Sequence, residues 1–221
     1  MEKNIRCGRG GDEMADLPIS KAQAVKCATW LIDNFGDAMS AAVAGKPYGR
    51  SHLAGIACQE TACKWLEWVD DHPPNEIVQR CVFDASGEVP GAPRGAFPQN
   101  TAAFRAQYGD TFTDMLIEEG NKTRRWQGWS DKPWVYKGYG LFQYDLQAVA
   151  TDRAFFEDKG WYDFAASLGR CCSELDAKLK LGSVGGDIWK AIRAYNGSGP
   201  RADAYAQNVQ VFTEACLPVT G

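Results

Sequence analysis

The chain has 221 residues, a formal net charge of −4, 45% hydrophobic and 24% charged residues. That length can bury a sizeable core in one domain. The mild negative charge argues against nucleic acid as a partner, and no run of about 18 apolar residues offers a membrane span. One local exception to the charge balance is the basic run Lys122-Thr123-Arg124-Arg125.

Residues 1–17 read as a flexible, polar, Gly-rich lead without the apolar core of a signal peptide, so no export route is visible. Ser20 with Gln23 forms a capping-box pattern that opens a helix with the stripe Ala24, Cys27, Ala28, Leu31 and Phe35. Gly36 is expected to stop or kink it, and Gly45-Lys46-Pro47 breaks the chain. A second helix is expected from about Arg50 to Val69, ended by Asp71-His72-Pro73-Pro74. Its residues Leu53, Ile56, Ala57, Glu60 and Cys63 share one face, so a carboxylate sits in an apolar stripe. Such a group is neutralised by a partner or held protonated, and a protonated carboxyl can act as a general acid. An Arg-paired structural Glu is the bland alternative.

Residues 82–99 gather prolines and glycines and read as a surface loop. A helical pattern returns from Asn100 to about Gly120 with Phe104, Tyr108, Phe112, Met115 and Leu116. Residues 126–140 look irregular. Asp145 suits the N-cap of a helix over 146–150. Further helices are expected at Asp163–Leu181, around Ile188–Tyr195 with Asn196-Gly197 as its C-cap, and from Pro200 with Tyr205, Val209, Phe212 and Cys216. No convincing strand series appears, and the expected fold is mainly α.

Eight cysteines suit disulfides and an oxidising compartment, but about 105 full pairings leave connectivity unreadable. Cys58 and Cys63 lie roughly 7.5 Å apart along a helix and point apart, so they should not pair. Adjacent Cys171 and Cys172 pair elsewhere or stay free. With only two histidines and no Cys-x-x-Cys, a zinc site is not expected.

Three stretches carry polar groups beside apolar ones. They are Gln59-Glu60-Thr61, then Gly138-Tyr139-Gly140-Leu141-Phe142-Gln143-Tyr144-Asp145, and then Ala194-Tyr195-Asn196-Gly197-Ser198 followed by Tyr205-Ala206-Gln207-Asn208-Val209. Glycines around an aromatic let backbone approach a ligand closely. Taken in this order, the stretches resemble the lysozyme-like superfamily, specifically goose-type lysozymes and soluble lytic transglycosylases of glycoside hydrolase family 23. In that family a mid-helix catalytic Glu precedes a Gly-Leu-Met-Gln turn, an Ala-Tyr-Asn-Ala-Gly helix end and a Tyr-Ala-x-x-Val helix. The goose-type branch adds two aspartates, which map onto Asp145 and onto Asp131 in Gly128-Trp129-Ser130-Asp131.

The resemblance implies a lysozyme-like helical domain over 18–221, with a long insertion at about 66–127 beside the active-site cleft. Glu60 would be the general acid, and Asp145 with Asp131 would position a water for inverting hydrolysis, with carboxyls roughly 6.5–9.5 Å apart. Gln143, Tyr139, Tyr195, Asn196 and Tyr205 would line sugar subsites. Core packing is the alternative for the two C-terminal tyrosines, and a turn position the alternative for Asp131. The implied substrate is a β-1,4-linked N-acetylated amino-sugar polymer, peptidoglycan first, met outside the cytoplasm, with no metal or organic cofactor. Other readings are a lytic transglycosylase forming anhydromuramyl ends, a chitinase or chitosanase suited to the acidic chain, and a glycan binder that does not cleave.

Overall fold

The computed structural model describes residues 17–221, so the expected lead at 1–17 lies almost wholly outside the described residues. The chain forms two compact units where a single domain was expected. One ends its first part at Asp71 and resumes at Leu168–Gly221, and the other is His72–Ser167. The second unit covers most of the stretch 66–127 and runs on through the Gly-Leu-Phe-Gln turn.

In the first unit, α1 (Lys21–Val43) opens on the expected capping box, with Gln23 N donating to Ser20 Oγ and Ser20 N to Gln23 Oε1. Gly36 does not stop it. The helix continues for two more turns because Met39 extends the buried stripe of Ala24, Cys27, Ala28 and Leu31. α2 (Arg50–Ala57) leads into a π-helical turn, Cys58–Ala62, and a short α3 (Cys63–Trp65), so the expected single helix to Val69 is interrupted. Insertion of one extra residue per turn changes the direction of side chains at that point.

α9 (Ile188–Tyr195) and α10 (Pro200–Thr220) match the sequence expectation, with Pro200 at the start of α10 where its missing N–H costs nothing. α10 packs against α1, α2 and α9. Its approach to α2 depends on Gly55. A Cβ there would lie 2.6 Å from Thr213 Oγ1 and 2.9 Å from the Val209 carbonyl oxygen. Arg50 ties the chain end to this bundle, donating from Nε to the Thr220 carbonyl and from Nη2 to Gly221, each at 2.9 Å.

Cys27, Cys58, Cys81, Cys171, Cys172 and Cys216 are buried free thiols, so these six do not build the disulfide framework that the even count suits. Cys58 is among them, in line with its expected failure to pair with Cys63. Three of the thiols meet where α1, α2 and α10 converge. Cys58 Sγ and Cys216 Sγ both point at the Ala24 carbonyl, at 3.9 and 3.5 Å, and Cys58 also hydrogen-bonds Cys27.

The second unit starts with α4 (Pro74–Gln79), a helix the sequence reading missed, with Pro74 at its first position. Three two-residue strands follow a β1-β2-β3 antiparallel order: β1 (Val82–Phe83), β2 (Gly138–Tyr139) and β3 (Tyr144–Asp145). Val82 pairs with Tyr139, and Gly138 with Asp145. Strands this short show no alternation, which is why the sequence hides them. The expected helix from Asn100 is two, α5 (Thr101–Tyr108) and α6 (Asp110–Trp126), split by Gly109 at φ 81°. Asp145 N-caps a 3-10 turn, Leu146–Ala150, followed by α7 (Arg153–Glu157). α8 (Phe164–Leu179) opens in this unit, and its residues from Leu168 belong to the first.

The core of the second unit is aromatic, with Phe104, Phe112, Tyr139, Phe156 and Trp161 among its buried residues. The Pro/Gly-rich loop is anchored to it by Glu88. That carboxylate accepts from Thr101 N and Oγ1 at 2.6 and 2.8 Å and from Lys137 Nζ at 2.7 Å. Lys137 is fully buried, so burial pulls its ammonium down while Glu88 holds it charged. No described helix is long and apolar enough to cross a membrane.

Candidate functional site

Glu60 lies in the π-helical turn, half-buried, between the buried side chains of Cys58 and Thr61. Single π turns recur at functional sites because they displace one side chain from the regular stripe. Thr61 accepts from the Trp65 indole N–H at 3.1 Å, which holds the following turn in place. The Glu60 carboxyl receives Tyr205 from α10, whose hydroxyl donates to Oε1 at 2.7 Å. Tyr195, at the end of α9, stacks on Tyr205 with ring centroids 6.4 Å apart and an interplanar angle of 22°.

Electrostatics keep this cluster protonated at its tyrosines. Burial raises the Tyr205 phenol well above its ordinary value, and the Glu60 charge and hydrogen bond raise it further. Burial likewise raises Tyr195, with Cys171, Tyr205 and Glu60 adding to the shift. Tyr205 is therefore a fixed donor to Glu60 across the neutral range. Cys171 of α8 hydrogen-bonds Tyr195, while burial pushes its thiol well up, so it serves as a neutral group. Asn196 is exposed and closes α9 as its C-cap, as the sequence suggested.

The first unit thus brings together Glu60, Tyr205 and Tyr195, with Asn196 at the adjoining helix end. The other expected site residues belong to the second unit. Asp145 is half-buried, accepts from Gln147 N at 2.7 Å as an N-cap and is hydrogen-bonded by Nη2 of Arg94. The N-cap alternative raised for it is therefore realised, and Arg94 adds an ion pair that the sequence did not signal. Arg94 sits in the Pro/Gly-rich loop with a side chain 9% exposed, and also faces Asp84 at 3.6 Å. Asp131 is exposed and held by Arg125, which donates to both carboxylate oxygens and keeps it below the usual carboxylate range.

Gln143 closes the β2–β3 turn. Its φ is 50°, and its Nε2 donates to the Gly140 carbonyl at 2.8 Å. A Cβ at Gly138 would lie 2.2 Å from Gln143 Oε1, so glycine here leaves room for the Gln143 side chain to fold back over the turn. Tyr139 departs from its expected subsite role. It is fully buried and packs edge-on to Phe156 and against Trp161, so it is a core side chain with no surface to offer a sugar.

Sequence reasoning missed Arg94 and Cys171. Arg94 lies in a loop with no periodicity to mark it, and Cys171 was read only as a cysteine that pairs elsewhere or stays free. Among the described residues, no group of three or more His, Cys, Asp and Glu is placed to hold a metal ion. Comparison with protein-family models, curated proteins and solved structures gives no match.

Proposed function

We propose that the chain cleaves β-1,4 bonds of an N-acetylated amino-sugar polymer, peptidoglycan first, with Glu60 as the general acid. The observation that carries this reading is the Glu60 carboxyl on its π turn, half-buried and oriented by the Tyr205 hydroxyl at 2.7 Å. A carboxyl so held is oriented to protonate a leaving glycosidic oxygen. Tyr195 adds an aromatic face next to it, suited to packing on a sugar ring. Such a polymer lies outside the cytoplasm, which places the site of action in the cell envelope or beyond.

A specific observation favours one of two routes. Inverting hydrolysis asks Asp145 and Asp131 to activate a water, yet each already carries an arginine and Asp145 also caps a helical turn. Both carboxylates are thus already ion-paired, Asp145 through Oδ1 and Asp131 through both oxygens, which supports the transglycosylase route in which Glu60 acts alone. There the Glu60 proton passes to the leaving oxygen. Its carboxylate then takes a proton from the muramyl hydroxyl, which closes an anhydro ring on the anomeric carbon and consumes no water.

Mass spectrometry of products from purified peptidoglycan, with chitin and chitosan oligomers in parallel, tests the reading. Anhydro ends are expected. Reducing ends carrying an added water would return the two aspartates to the mechanism, and cleavage of the amino-sugar oligomers alone would change the substrate. Glu60→Gln should lower turnover by about a thousandfold while sparing glycan binding. Unchanged turnover in that variant, or no product from any polymer with the parent chain, would overturn the proposal.

A further inference from the structure

The basic run at 122–125 plays no part in the proposed cleavage, and two of its members, Lys122 and Arg125, line a groove of about 420 Å³ in the second unit. Arg80, Lys122 and Arg125 line the groove with Glu76, Gln79 and Trp126. Beneath it, Glu119 is 1% exposed and meets three cations: Lys122 at 2.8 Å, Lys159 at 2.9 Å and Arg80 at 3.5 Å. One carboxylate against three cations leaves positive charge in excess. Arg125 does not add to that excess, because Glu118 and Asp131 hold it.

Arg80 is the informative member. Its side chain is 7% exposed, and its Nη2 donates to Tyr162 OH at 3.0 Å while its guanidinium lies over the Tyr162 ring. Its bonds to Gln79, Glu119 and Tyr162 all run from Nη2, which leaves Nε and Nη1 for a ligand. Glu119 already meets Nη2, and the remaining guanidinium donors are those an anionic group in the groove can use. Lys122 gives one hydrogen bond to Glu119 and keeps further donors for a ligand. Trp126 supplies a flat apolar wall, itself stacked on His72 with ring centroids 3.8 Å apart.

We infer that this groove binds an anionic group, a carboxylate or a phosphate, between Arg80 and Lys122, with the rest of the ligand resting on Trp126. The site is independent of cleavage at Glu60. Its ligand is monoanionic or dianionic and compact at the charged end, because two donors of Arg80 and the Lys122 ammonium set the number of oxygens it can satisfy. Glu76 on the rim disfavours a long run of negative charge, so a polyanion is the poorer fit.

Nuclear magnetic resonance titration of the full chain tests this, following the Trp126 indole and Arg80 guanidinium signals. The probes are inorganic phosphate and N-acetylmuramic acid, a sugar with one carboxylate, and the neutral control is N-acetylglucosamine. Shifts with phosphate alone would assign a phosphoryl ligand, and shifts with the acidic sugar would assign a carboxylate. Lys122→Gln should weaken binding about fivefold, the loss of one partly exposed charge contact. Because Lys122 is on the surface, that variant is expected to fold. An equal response to the neutral sugar, no response to either anion, or unchanged affinity in Lys122→Gln would overturn the inference. Loss of cleavage in Glu60→Gln leaves this titration unaffected.

Discussion

At the residue scale, the function proposed for Glu60 rests on how its carboxyl is held. A carboxyl free to rotate would spend little time aimed at a leaving oxygen. The Tyr205 hydroxyl removes that freedom through one hydrogen bond at 2.7 Å. The phenol can do so at any neutral pH, because its ionisation is pushed far up by burial and by the Glu60 charge. Tyr205→Phe keeps the ring and deletes the bond. It should lower kcat about tenfold to a hundredfold with little change in KM, since it affects alignment more than substrate affinity. Steady-state kinetics on soluble glycan fragments would check this. A rise in KM at constant kcat would instead place Tyr205 in substrate binding alone. The contrast with Tyr139 is instructive, since a tyrosine next to glycines in a motif can belong wholly to the core.

At the element scale, the helices with full apolar stripes and caps were legible: α1 through its capping box, α9 through Asn196, and α10 through Pro200 and the stripe of Tyr205, Val209, Phe212 and Cys216. Three features were not. The π turn at Cys58–Ala62 leaves no mark, because one extra residue in a turn preserves a plausible apolar pattern. The strands are too short to alternate, and α4 is too short to show a helical period. Nor could Gly36 and Gly55 be told apart in the sequence, since both interrupt an otherwise helical pattern. Packing separates them. A Cβ at Gly36 meets only Ile32 Cγ2 at 3.6 Å, an ordinary contact, whereas one at Gly55 would collide with α10. Gly36→Ala should therefore stabilise by up to about 1 kcal/mol through helix propensity. Gly55→Ala should destabilise by about 2 kcal/mol, lowering Tm by roughly 4–8 °C. Paired thermal melts would reveal the opposite signs. A neutral Gly55→Ala would mean that α2 and α10 can separate at little cost.

At the scale of the whole molecule, the chain leaves one unit at Asp71 and re-enters it at Leu168, with a complete second unit between. The stretches singled out in the sequence fall in both units, Glu60, Tyr195 and Tyr205 in the first and the Gly-Leu-Phe-Gln turn in the second. What distinguishes the second unit is a buried ionic centre, and that centre sets its response to acid. Burial alone would raise Glu119, but Lys122, Tyr162 and Lys159 outweigh it and hold its carboxyl below the usual range. A carboxylate depressed on folding contributes stability above its unfolded value of about 4.3, and that contribution is lost as pH falls through the folded value. The second unit should therefore weaken as pH drops below about 4.3. Glu119→Gln should flatten that dependence and cost about 2–3 kcal/mol at neutral pH. The cost is somewhat below that of breaking a fully buried pair, because Lys122 and Lys159 are 38% and 33% exposed. Hydrogen exchange read at the α6 amides from pH 3 to 7 would measure both effects. Equal acid lability in the variant and the parent would show that Glu119 is not the group that titrates. A loss confined to α10 would move the ionic control to the first unit.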